Sequence, residues 1–174
     1  DFELDCGIAC MTTGKMLETA LLLGPTRTLV GIITEPPPGL TRRQEGVLLL
    51  DAGTIHRVGP GRLYVRLARE LAAAGFVVTR FDYSGIGDSG QRSDNMPLLE
   101  VAVREPQEVM DDLYKRCGLS RFVLMGICSG AYSAFKTAGR DPRVVGAALI
   151  NPQDFIGDPT WLHYVQTCLL YTSP

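Results

Sequence analysis

A doubly wound, mostly parallel α/β sheet is the fold class that this sequence predicts, and three observations predict it. Four short runs, VLLLDAG (47–53), FVVTRFD (76–82), RFVLM (121–125) and VVGAALI (144–150), are apolar almost without interruption, as strands covered on both faces require. Helical patterns separate them. Strand and helix alternate at a spacing that right-handed crossovers accommodate, which leaves the loops at the strands' carboxyl ends for chemistry.

Taken in order, residues 1–15 (DFELDCGIACMTTGK) show no clear period, begin at Asp rather than Met, and are expected to be a ragged or non-native extension. TALLL and TLVGIIT flank Gly24-Pro25 and read as a hairpin-like pair, stopped by EPPPGLTRRQEG. After VLLLDAG, the segment PGRLYVRLARELAAAG places Leu63, Leu67 and Leu71 four residues apart, with Pro60 near its start and Gly75 at its end, as an amphipathic helix requires. REPQEVMDDLYKRCG puts Met110, Leu113, Tyr114 and Cys117 on one helical face, with Glu105 and Glu108 expected in the first turn and Lys115 and Arg116 in the last. A further helix runs from about Ser129 to Gly139. The folded domain is expected over 16–160, with 161–174 a non-native or disordered tail.

Composition narrows the function classes. The 174 residues suit one domain with a sizeable core. A formal net charge of -2, with the Lys and Arg scattered, offers no basic field for nucleic acid or anionic lipid. Five cysteines without metal-type spacing argue for reduced thiols in a cytoplasm rather than a disulfide framework. No apolar run approaches the roughly twenty residues that cross a bilayer. No membrane, nucleic-acid, metal or cofactor partner is therefore expected.

The loop SGIGDSG carries Gly85-x-Gly87-x-x-Gly90, which matches the dinucleotide fingerprint and follows a strand. That fingerprint needs a helix to begin inside it and aim its amino end at the pyrophosphate. Here QRSDNMP follows, polar and closed by Pro97, so a tight surface loop is the expected structure.

The chemistry is expected in RFVLMGICSGAYSAF (121–135), which reads as buried strand, glycine-flanked turn and helix. Gly126 and Gly130 stand two residues either side of Cys128, whereas Ser129 in the same role would have Ile127 at one of those offsets. A nucleophile elbow needs small residues at those offsets because neighbouring backbone passes close by. Cys128 is thus the expected nucleophile, its thiolate favoured by the amino end of the following helix.

From about Glu18 to Asp154 the chain resembles the α/β-hydrolase superfamily, in the order strand, DAGTIHRVGPGR loop, helix, strand, DYSGIGDSG, helix, strand, GICSG. Residues 51–89 look most like the small hydrolases associated with exosortase systems and their serine-aminopeptidase-like relatives. A cysteine at the elbow is similar to dienelactone-hydrolase-type members, and leaves ester, thioester or lactone open. The resemblance implies a small-molecule acyl substrate, with the backbone N–H groups of Ser129 and Thr54 as oxyanion donors. It also implies a catalytic acid and then a histidine after the nucleophile. The chain ends too soon for both, so only the amino-terminal part of the fold is expected and this fragment is expected to be inactive. Asp154 is a candidate acid, and His56, ahead of the nucleophile in the oxyanion loop, an alternative base. His163 lies too close behind the last strand to serve. The tail TCLLYTSP looks like translated adapter sequence, and a non-catalytic α/β binding module that keeps the elbow as architecture is the alternative reading.

Overall fold

The computed structural model describes residues 8–13, for which only the backbone is discussed, and 16–152. Strands β1 (Ile8–Thr13), β2 (Met16–Leu23), β3 (Leu29–Glu35), β4 (Glu45–Leu50), β5 (Val77–Phe81), β6 (Arg121–Ile127) and β7 (Val144–Ile150) join helices α1 (Leu63–Ala73), α2 (Leu98–Cys117) and α3 (Ser129–Ala138). Together the strands form one sheet in the order β1-β2-β3-β5-β4-β6-β7. Strands β5, β4, β6 and β7 run parallel, while β1, β2 and β3 add an antiparallel flank. This mixed, helix-flanked sheet is the α/β-hydrolase fold.

Period-2 side-chain direction divides the core between the two faces. Leu48 and Leu50 of β4, Phe81 of β5 and Leu124 of β6 pack with Val109, Met110 and Leu113 of α2 and Ala134 of α3. Val47 and Leu49 of β4, with Val78 of β5, meet Tyr64 and Ala68 of α1 on the other face. The parallel strands are apolar along their length because both faces are covered. On α1 the buried stripe is Tyr64, Val65, Ala68 and Ala72, and the leucines at 63, 67 and 71 pack at its margin, only partly buried. The small alanines let the helix lie close to the sheet.

Two elements depart from expectation. Residues 8–13, expected within a ragged lead, add β1 in antiparallel register to β2, whose outer N–H and C=O groups would otherwise be an unpaired edge. Helix α2 begins at Leu98, not near Glu105, so Pro106 lies inside it. A proline there has no N–H for the carbonyl four residues earlier, that of Ala102. Ser133 of α3 supplies the missing donor, its hydroxyl bonding the Ala102 carbonyl while the Tyr83 hydroxyl donates to Ser133 Oγ at 2.5 Å. A residue that reads locally as a helix breaker is thus satisfied by a neighbouring helix.

Glu105, fully buried, serves a different end from the helix dipole. It accepts from the Ser84 N–H at 2.9 Å, from the Ser84 hydroxyl and from Arg92 at 3.3 Å, tying the loop after β5 to α2. Asp82, also fully buried, accepts from the backbone of Arg57 at 2.6 Å and of Asp88 at 3.0 Å, and pairs with the Arg57 guanidinium. These two carboxylates fold Ser84–Gly90 into a compact turn, and no helix begins within its glycine motif. Ser133→Ala leaves two polar groups without their partner, and urea denaturation is expected to register a loss of about 1–3 kcal/mol.

Candidate active site

Strand order reverses at β4, whose parallel neighbours are β5 on one side and β6 on the other. In open α/β sheets the crevice outside the carboxyl ends of strands at such a point is where ligands bind. A cavity of about 250 Å³ lies there, between the end of β4, the loop after β5 and the starts of α2 and α3. Ile86, Leu98, Leu99, Val101 and Ala102 make its apolar wall. Its polar groups come from Asp51, Thr54, Tyr83, Ser84, Ser129 and Ser133.

The turn from β6 into α3 has the expected elbow shape. Cys128 holds φ 56° and ψ -119°, a region that residues bearing a side chain rarely occupy. A Cβ on Gly126 would fall 2.2 Å from the backbone of Gly130, and one on Gly130 would fall 2.2 Å from the Leu50 carbonyl oxygen. Glycine at both offsets is therefore a packing requirement, and it seats α3 against the end of β4. Ser129 opens α3, and its Oγ accepts from the Gly53 N–H at 2.5 Å. Of the two adjacent side chains, Ser129 lines the cavity, and Cys128 is not among its lining residues.

The other expected site residues separate. Thr54 lines the cavity. His56 is exposed in the loop after β4, where its Cβ lies against Gly87, and it is not among the cavity's lining residues. Asp154, His163 and the tail from 161 lie outside the described residues. Among the described residues, no group of three His, Cys, Asp or Glu could hold a metal ion, and no helix is long and apolar enough to cross a membrane.

Sequence reasoning missed Asp51. It ends the β4 run, is 3 % exposed and lines the cavity. Neither carboxyl oxygen has a hydrogen-bond partner among the described residues. Burial pushes its pKa up to about 9, with the Asp82 charge adding to the shift and Arg57 and Arg80 opposing it. The signal was an acid closing an otherwise apolar buried run, a position where a charge is costly.

A carboxyl whose native pKa lies above its ordinary 3.8 binds more protons folded than unfolded, so its contribution to stability is complete below pH ~4 and is lost as pH rises toward 9. Asp51→Asn is expected to flatten stability over that window relative to wild type, and to raise the urea midpoint at pH 8 more than at pH 5. Gly130→Ala, forced against the Leu50 carbonyl, is expected to cost at least about 1–3 kcal/mol in the same assay.

Comparison with known proteins places this geometry. The family model described as serine aminopeptidase, S33, matches residues 54–171. Among solved structures, a cold-adapted esterase from an Arctic intertidal metagenomic library aligns at 17% identity and TM-score 0.63, over 80% of this chain and 62% of its own. An α/β serine hydrolase without a lid from Xanthomonas campestris aligns at 17% and 0.56, over 75% and 59%. An α/β serine hydrolase homologue from Coxiella burnetii aligns at 24% and 0.52, again over 75% and 59%. This chain thus spans about three fifths of the length of those structures. No curated protein matches the sequence. The family corrects one expectation. Its chemistry is a serine's, so the nucleophile is not to be read as the Cys128 thiol; the glycine spacing located the elbow, but spacing does not say which neighbouring heteroatom attacks. With the elbow, the cavity at the sheet's reversal point and a family match over more than half of its length, the chain belongs to the serine aminopeptidase S33 family of α/β-hydrolases.

Proposed function

We propose that this protein hydrolyses acyl bonds of small molecules, with the Ser129 hydroxyl as the attacking group. The observation that carries the reading is the position of Ser129 Oγ: on the cavity, at the first residue of α3 and 2.5 Å from the Gly53 N–H. That N–H and the positive end of the helix both favour the alkoxide over the neutral hydroxyl. Attack forms a bond from Oγ to the acyl carbon and expels the leaving group, while the hydroxyl proton passes to a base and on to the departing atom. Water then cleaves the acyl-enzyme and releases the acid. Charge developing on the carbonyl oxygen meets backbone N–H groups at the mouth of the cavity, with Thr54 and Ser129 as the donors. The base comes from outside the described residues, since His56 is not on the cavity. The proposal extends to a cytoplasmic protein, where its five cysteines stay reduced, acting as the small hydrolases associated with exosortase systems that residues 51–89 resemble.

Turnover of short p-nitrophenyl esters, measured on the full-length protein as wild type, Ser129→Ala and Cys128→Ala, tests it. Ser129→Ala is expected to lower kcat by more than about a thousandfold, and Cys128→Ala to leave it within about tenfold if the elbow tip only shapes the turn. The reverse pattern returns the attack to the thiol. Folded protein with no turnover in any form leaves the elbow as architecture alone.

A further inference from the structure

Asp51 has no part in the acyl transfer described above, yet it is a buried carboxyl on the cavity, and no described residue hydrogen-bonds either of its oxygens. The Tyr64 hydroxyl, from α1, donates to the Leu50 carbonyl at 2.8 Å. The Tyr83 hydroxyl, from the loop after β5, donates to Ser133, whose own proton goes to Ala102. Arg57 engages Asp82 and Asp88, and Arg80 engages Glu18. Asp82, the other nearby acid, only adds negative charge. Among the described residues none of these groups hydrogen-bonds the Asp51 carboxyl; Arg57 Nε and Arg80 Nε are themselves buried without a partner and do not reach it. The cavity, which Asp51 lines, is where a partner can come from.

We propose that Asp51 is a specificity-determining residue of this site, whose carboxyl hydrogen-bonds an uncharged polar group, a hydroxyl above all, carried on the acyl chain of the substrate. Around it the wall is aliphatic, so the rest of that chain is apolar, and at about 250 Å³ the cavity suits a short one. A carboxyl held largely protonated at neutral pH both donates and accepts, which matches a hydroxyl in both senses and gives an ammonium or carboxylate no fixed counter-charge. A buried group that is satisfied only by the correct ligand discriminates strongly, because the analogue lacking the hydroxyl leaves it unpaired.

The inference rests on the acyl-site reading, and its test separates the two. Dissociation constants of 3-hydroxyhexanamide and hexanamide, neither of which needs turnover to be measured, are obtained by ligand-observed NMR titration for wild type, Asp51→Val and Asp51→Asn. Wild type is expected to bind the hydroxyamide about tenfold more tightly. Asp51→Val is expected to lose that preference to within about twofold, and Asp51→Asn, which can still donate and accept, to keep part of it. Equal binding of the two amides by wild type overturns the proposal, since water then meets the carboxyl as well as a ligand does. So does an undiminished preference in Asp51→Val. Should Asp51→Val fail to fold, the wild-type comparison and loss or retention in Asp51→Asn still decide. Discrimination without ester turnover removes the hydrolase reading and leaves the binding one; turnover without discrimination does the opposite.

Discussion

The contact between α3 and the end of β4 governs the rest of this structure. With only hydrogen at Gly130, the first turn of the helix rests on the Leu50 carbonyl, and with only hydrogen at Gly126 the strand passes under that same turn. No larger residue fits either position without moving a backbone, which is the least compliant part of a protein. The strained conformation of Cys128 follows from this closeness, because the chain must reverse within one residue to enter the helix. So does the approach of Ser129 to Gly53, and so does the shape of the cavity, whose floor is the end of β4 and whose sides are the elements that β4 and α3 hold apart.

Around this contact, buried charge is spent on loops. Asp82 and Glu105 each sit at zero exposure, and each is surrounded by donors from the segments after β4 and β5. Removing one partner from such a group costs more than the pair contributes, which fixes loops that have few apolar side chains to bury. Asp51 stands apart from both. It is buried too, accepts no hydrogen bond among the described residues, and holds its proton instead. Asp82 and Glu105 on one hand and Asp51 on the other thus do two different things, and the difference lies in whether donors bond them.

Much of the fold was legible because its signals are local. Val47–Leu50 and Val77–Phe81 read as strands from composition alone, and α1 from its spacing and terminal Gly75. The start of α2 was not legible, since Pro106 is compensated by Ser133, twenty-seven residues away and on another helix. Strand β1 depends on pairing with β2 and carries no period of its own. At the site, the glycine offsets around 128 revealed the elbow. They could not reveal that Ser129 lines the cavity, that the Gly53 N–H bonds its hydroxyl, or that His56 does not line the cavity, because each depends on the relative placement of loops distant in sequence. Asp51 was passed over as the end of a strand, although an acid closing a buried apolar run is itself a signal.

The central claim is that a serine hydroxyl at this elbow takes up the acyl group. Incubation with an alkyl fluorophosphonate, which phosphonylates an activated nucleophile irreversibly, followed by peptide mapping in a mass spectrometer, reads the attacking atom without requiring turnover. The account predicts a single adduct on Ser129, absent from protein unfolded in urea. An adduct on Cys128, or labelling that does not depend on the fold, would contradict it.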